Sequence, residues 1–108
     1  MKLLKDILFG VPLQSVSGST HVQIHTITFD SREVKKGTLF VAIKGAVHDG
    51  HKHIPDAIRN GAVAILCEDF PETLDPNITH VSCANTRHAL AVVADLWYNS
   101  PSTQLKLV

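Results

Sequence analysis

The sequence predicts an α/β domain with a largely parallel sheet flanked by helices, and three observations lead there. Two short apolar runs, LFVAI at residues 39–43 and AVAILC at 62–67, have the continuous hydrophobicity of strands buried on both faces. Around them lie segments whose apolar residues recur every three or four positions, so strands and helices alternate along the chain. With 108 residues, 44% of them hydrophobic, the chain is sized for one domain with its own core.

Each element has a local reason. Leu3, Leu4, Ile7 and Leu8 share one helical face, predicting a short helix over 2–9 that Gly10 and Pro12 end. SVSGST at 15–20 reads as a polar loop. Residues 21–29 alternate, with Val22, Ile24, Thr26 and Thr28 on one side and Gln23, His25, Ile27 and Phe29 on the other, which predicts a strand covered on both faces. DSREVKKG at 30–37 is a turn region in which Gly37 is expected to take a positive φ. After the strand at 39–43 comes a glycine-containing loop, 45–51. A helix follows over 54–60, with Pro55 in its first turn and Gly61 as its stop.

The strand at 62–67, the proline-bearing loop PETLDPN and a strand at 78–83 lead to a last helix. Asn85 is its N-cap, Leu90, Val93, Ala94 and Trp97 its apolar face, and Ser100-Pro101 its end. LKLV at 105–108 reads as the start of another strand, so the chain is expected to be a piece of a longer protein.

Composition narrows the function classes. Ten basic residues balance ten acidic ones, so the clustered positive field of a general nucleic-acid binder is missing. No apolar run approaches the roughly 20 residues needed to cross a bilayer, which argues against membrane insertion. In MKLLKDILFG, Lys5 and Asp6 interrupt the apolar stretch and no small-residue cleavage site follows, so it is no signal peptide. Cys67 and Cys83 lack metal-ligand spacing and fit free thiols in a reducing cytoplasm, with a cross-strand disulfide as the alternative.

Two segments stand out at predicted strand ends, where ligands of open α/β sheets gather. In Asp30-Ser31-Arg32, a hydroxyl and a guanidinium can bind phosphate or sugar oxygens. The same three residues equally suit an Asx turn with Arg32 in solvent. In Gly45-Ala46-Val47-His48-Asp49-Gly50-His51, two glycines allow close backbone approach to an anion, yet the spacing matches neither the dinucleotide fingerprint nor the Walker loop. An ordinary βα loop is the other reading. His48, His51 and His53 invite a zinc site, but three imidazoles at this spacing do not share a helical face and only Asp49 and Asp56 lie near as a fourth ligand, so no metal is expected. Arg87, His88 and Asp95 read as solvated positions beside the apolar stripe of the last helix. No nucleophile elbow, paired catalytic carboxylates or Walker loop occurs, so no catalytic residue is expected in this chain.

Taken in order, Asp30-Ser31-Arg32, Val34, Gly37, Leu39-Phe40-Val41-Ala42, Gly45, Asp49-Gly50-His51, Ala57, Gly61-Ala62 and Ala64 resemble the Mur ligase family, and the likeness spans nearly the whole chain. These ATP-dependent enzymes extend the UDP-linked precursor of peptidoglycan. Asn85, Arg87-His88-Ala89-Leu90, Trp97-Tyr98 and the LKLV tail are more similar to the MurE type, which adds the third peptide residue, than to the MurF type, which adds the terminal dipeptide. The resemblance implies the N-terminal, UDP-binding domain of such a cytoplasmic ligase, spanning 1–108. Its ligand would be UDP-MurNAc-L-alanyl-D-glutamate and its neighbour the enzyme's own central ATPase domain.

ATP and magnesium would then belong to the full-length enzyme and no cofactor to this chain, which alone would be inactive. meso-Diaminopimelate is favoured over L-lysine as the added residue. By position, the implied contacts to the UDP end are Phe29, Ser31, Ala46, Val47 and His48, with Arg32, Asp49 and Gly50 shaping the pocket. The alternatives are the MurF-type domain or a stand-alone nucleotide-binding module without enzymatic activity.

Overall fold

The protein is described here from a computed structural model covering residues 2–44, 49–71 and 74–98. Its elements are β1 (Lys2–Leu3), α1 (Leu4–Ile7), β2 (Leu13–Ser17), β3 (Gln23–Ile24), β4 (Thr26–Thr28), β5 (Thr38–Val41), α2 (Ile54–Asn60), β6 (Ala62–Cys67), β7 (Thr79–Cys83) and α3 (Thr86–Tyr98). A five-stranded sheet runs in the order β2-β7-β6-β5-β4, and a two-stranded sheet pairs β1 with β3. In the five-stranded sheet the pairings from β4 to β7 are parallel and β2 runs antiparallel to β7, while β1 and β3 pair antiparallel. The expected α/β class with a largely parallel sheet is what forms.

Two apolar layers sandwich the sheet. One packs α1 and α3, through Leu4, Ile7, Ala89 and Val93, onto Leu39, Val41, Leu66 and Val81. The other packs α2, through Ile54 and Ala57, onto Phe40, Ala42, Ile65 and Cys67. The alternation of Leu39, Phe40, Val41 and Ala42 between the two layers explains why this run is apolar at every position. Cys67 lies opposite Ser82 in the ladder and belongs to the α2 layer, whereas Cys83 faces the α1/α3 layer. Both are free thiols on opposite faces, which removes the disulfide alternative. Burial pushes the Cys67 thiol up to about 12, so it packs as a small apolar group.

The helix ends obey the sequence signals. Asn85 Oδ1 accepts the His88 backbone N–H at 3.0 Å, the bond of an N-cap. Gly61 closes α2 at φ +120°, its N–H donating to the carbonyls of Ala57 and Ile58. A Cβ there would meet the backbone N of Lys36 at 2.8 Å, so both conformation and space demand glycine. Gly37 is likewise at φ +83°, with the His25 ring where its Cβ would be.

Three local expectations are corrected. The helix predicted over 2–9 is one turn, Leu4–Ile7, because Lys2 and Leu3 instead pair with Ile24 and Gln23. Leu4, Ile7 and Leu8 are still buried on one face. The strand predicted over 21–29 breaks at His25, whose N–H turns to the carbonyl of Gly37 at 2.8 Å. That break shifts the alternation, so Ile24 and Ile27 both face the α1/α3 layer instead of opposite sides. The predicted polar loop at 15–20 begins as strand, since Ser15, Val16 and Ser17 pair with Ser82, Val81 and His80. As a sheet edge, β2 tolerates polar residues that an interior strand would not. The strand expected at 105–108, and the Ser100-Pro101 end of α3, lie outside the described residues.

His80 is fully buried in β7, and among the described residues neither ring nitrogen has a hydrogen-bond partner. The Phe70 ring meets it edge-on at 6.2 Å, Ile65 and Ser17 flank it across the ladder, and among the described residues Asp75 is the charge acting on it. Burial lowers its pKa from the ordinary 6.5, with Asp75 pulling weakly the other way. The unfolded chain therefore binds a proton that the folded chain refuses. This contribution to stability is full above that ordinary value and is lost as pH falls through it toward the folded value.

Two outcomes are expected. Urea denaturation of wild type should show stability falling as pH drops below 6.5, and His80→Leu should flatten that slope and gain about 1 kcal/mol at neutral pH. Gly61→Ala should lose about 2 kcal/mol, because strain and backbone collision act together.

Candidate functional site

Parallel pairing brings the carboxyl ends of β4, β5 and β6 to one edge of the sheet. A groove of about 670 Å³ opens beside the first two. Phe29, Asp30, Ser31 and Arg32 form one wall, directly after β4, and Ile43 and Gly50 form the floor and far side after β5. His53 and Asp56, from the start of α2, close the groove. Of the residues singled out from sequence, Phe29, Ser31, Arg32 and Gly50 therefore come together. Ala46, Val47 and His48 lie outside the described residues. Asp49 stands one residue behind the lining, as a support for Gly50.

Ile43, His53 and Asp56 join the site without having been singled out for it. The signal for Ile43 is that it ends a buried strand in an open α/β sheet. His53 and Asp56 had no comparable signal, because their place depends on how α2 docks.

The wall after β4 is an Asx turn that also carries an ion pair. Asp30 Oδ1 accepts the Arg32 backbone N–H at 2.9 Å, which caps the single 3-10 turn Ser31–Glu33. The same carboxylate takes the Arg32 guanidinium on both oxygens, from Nε at 3.1 Å and Nη2 at 2.9 Å. Arg32 holds the Asp30 carboxyl below the usual carboxylate range through that side-chain bond first and the backbone bond second. The Arg32 side chain is 88% exposed, so the pair is screened by water and adds little to stability. The bonding of this tripeptide is that of the Asx turn, and its position makes it a wall of the groove. On the outer side, Asn60 Nδ2 donates to the Ser31 carbonyl at 3.0 Å and ties the turn to the end of α2.

Phe29 is 62% exposed, unusual for an aromatic ring at the end of a buried sheet. Its ring, Ile43 and the Ser31 hydroxyl offer one apolar face and a polar handle, which suits a flat, uncharged heterocycle. The charged groups nearby are already paired: Asp56 with Arg59 at 3.2 Å and with His53 at 3.8 Å. Opposite, Gly50 lies so close to the end of β5 that a Cβ would meet the backbone N of Ile43 at 2.8 Å. Its N–H donates to the Ile43 carbonyl at 2.8 Å, and Lys44 and Asp49 form an antiparallel bridge.

Of the three clustered histidines, His48 lies outside the described residues. His51 contacts Asp49 and the backbone after β6, whereas His53 borders the groove. Among the described residues no group of three or more His, Cys, Asp or Glu side chains could hold a metal ion. Arg87 and His88 are exposed on α3, and Trp97 packs partly buried against the α1/α3 layer. No helix among the described residues is long and apolar enough to cross a membrane.

The bonding around Asp30 separates two substitutions. Asp30→Ala should lower the melting temperature measurably, because it removes the cap of the Ser31–Glu33 turn. Arg32→Ala should leave it nearly unchanged, since an exposed guanidinium contributes little. Equal losses in circular-dichroism melts would contradict this division of labour.

The sequence profile described as "Mur ligase family, catalytic domain" matches residues 23–98. The chain is 45% identical over 108 residues to the UDP-N-acetylmuramoyl-L-alanyl-D-glutamate--2,6-diaminopimelate ligase of Cytophaga hutchinsonii, covering 97% of this chain and 22% of that protein. It is 41% identical over 105 residues to the ligase of the same name from Clostridioides difficile, covering 97% of this chain and 21% of that one. Among solved structures, MurF from Acinetobacter baumannii superposes with a TM-score of 0.58 at 30% identity, over 65% of this chain and 15% of that one. The MurF ligase of Thermotoga maritima in complex with ADP gives 0.56 at 34% identity, over 68% of this chain and 16% of its own. The chain thus spans about a fifth of the length of the relatives it matches. Over that span, sequence and fold agree that the chain belongs to the Mur ligase family.

Proposed function

We propose that this chain is the N-terminal, UDP-binding domain of a cytoplasmic ligase that adds 2,6-diaminopimelate to UDP-MurNAc-L-alanyl-D-glutamate. The observation that carries the reading is the groove after β4 and β5, which is lined by the exposed Phe29, by Ser31 and by Gly50. A uracil ring matches its apolar wall and polar handle. Main-chain groups of Ala46, Val47 and His48 would complete recognition of the base, with Arg32 and Asp49 shaping the rim. The sequence relatives carry the diaminopimelate-adding name at 45% and 41% identity over nearly the whole chain. The MurF structures match about two thirds of it at 30–34%. That difference favours the diaminopimelate-adding branch over the dipeptide-adding one.

In such a ligase the D-glutamate carboxylate would be activated by the γ-phosphoryl group of ATP, with ADP released, before the incoming amine displaces phosphate. The residues of this chain do not fit ATP. It has no glycine-rich loop carrying lysine and threonine. No step of ligation is assigned to these residues, and the neighbouring central ATPase domain would supply them. The role left to this domain is to hold the nucleotide end and so orient the distant peptide end.

Amide NMR during titration with UDP tests the reading. The largest shifts are expected at Phe29, Ser31 and residues 46–50, whereas ATP should cause neither specific shifts nor turnover. An unperturbed groove at millimolar UDP, or ATP hydrolysis by the pure chain, would overturn it.

A further inference from the structure

His51 lies just behind the groove and is bonded on every polar atom. Its backbone N–H donates to Asp49 Oδ1 at 2.9 Å and its Nδ1 lies 2.7 Å from the same oxygen. Its Nε2 accepts the backbone N–H of Glu68 at 2.9 Å and that of Asp69 at 3.4 Å, both just after β6. Only 14% of the imidazole is exposed. Two N–H donors aimed at Nε2 require a lone pair there, so the ring proton sits on Nδ1 and points at Asp49. Asp49 in turn bridges Lys44, and Gly50 bonds Ile43. The Glu68 carboxylate continues the chain, accepting the Thr86 N–H and hydroxyl at 3.1 Å each at the start of α3.

We propose that His51, in its Nδ1–H form, is the positioning residue of the groove, clamping the Asp49–Gly50 rim to the end of β6. The connection crosses between segments that are not joined by sheet hydrogen bonds. Without it, Asp49 keeps only its turn and its bridge to Lys44, and the rim's remaining tie to the end of β6 is the exposed, water-screened Lys44–Asp69 pair at 3.4 Å. The imidazole is suited to the task because it donates at one end and accepts at the other across a rigid ring. An aliphatic residue does neither, and a carboxamide at this chain length reaches one end only. The consequence for ligand binding rests on the uridine-nucleotide reading, whereas the clamp itself is visible without ligand.

Nitrogen-15 NMR of the wild-type chain should show His51 Nε2 unprotonated and Nδ1 protonated, and the reverse tautomer would overturn the proposal. His51→Ala should raise the Kd for UDP about tenfold, the effect of losing one well-made hydrogen bond. Exchange of the Glu68 and Gly50 amides should accelerate alongside. His51→Asn, which can still donate to Asp49 but leaves Glu68 without its acceptor, should speed Glu68 exchange and recover part of the affinity. A Kd within twofold of wild type in folded His51→Ala would sink the idea, and should the alanine variant not fold, the same result in His51→Asn would sink it. Should wild type itself ignore UDP, the ligand assignment falls alone. The clamp is then judged by Gly50 exchange, which must accelerate in either variant.

Discussion

The structure depends on the parallel pairing of β5 with β6, buried on both faces. Parallel strands need a crossover, and here α2 is that crossover, starting after the carboxyl end of β5 and returning to the amino end of β6. The return is tight: the Gly37 N–H reaches the Gly61 carbonyl at 3.3 Å, and neither glycine has room for a side chain. With that layer fixed at one edge of the sheet, the carboxyl ends of β4, β5 and β6 must emerge together at the other. The groove is a result of this geometry before any of its side chains is chosen.

What the side chains add is a division between held and free groups. Asp30 is occupied by Arg32, Asp56 by Arg59 and His53, and Asp49 by His51. Bonds to the His51 backbone, set against the penalty of partial burial, keep the Asp49 carboxyl below its ordinary range, so it remains an acceptor at neutral pH. Phe29 and the Ser31 hydroxyl are left facing the groove. The exposed Asp30–Arg32 and Asp56–Arg59 pairs add little stability, and the first holds a turn in one shape.

Much of this was legible in the sequence, for reasons that differ by residue. Strands 39–43 and 62–67 were readable because burial on two faces forces a continuous apolar run. Asn85 and Gly61 were readable because helix ends have specific chemistry. The edge strand β2 was not, since its exposed positions carry loop-like serines and its pairing with β7 joins segments some 65 residues apart in sequence. Neither was the break at His25, which depends on Gly37 lying beside it. At the site, Phe29, Ser31, Arg32 and Gly50 were accessible through an ordered family pattern, although each local motif had an equally good turn reading. His53 and Asp56 required the docking of α2, and the role of His51 required knowing where β6 ends.

The same geometry bears on which part of a nucleotide the groove would favour. A diphosphate needs uncommitted cations or a cluster of free backbone N–H groups. Along the described wall the Arg32 guanidinium is already bidentate to Asp30, and a phosphate there would have to compete with a carboxylate held for that purpose. A base makes no such demand. It stacks on an exposed ring, takes one hydroxyl and otherwise asks for main-chain groups, all without disturbing an ion pair. On the proposed reading, the aromatic end of UDP therefore belongs beside Phe29 and Ser31, and the phosphates belong away from the Asp30–Arg32 pair.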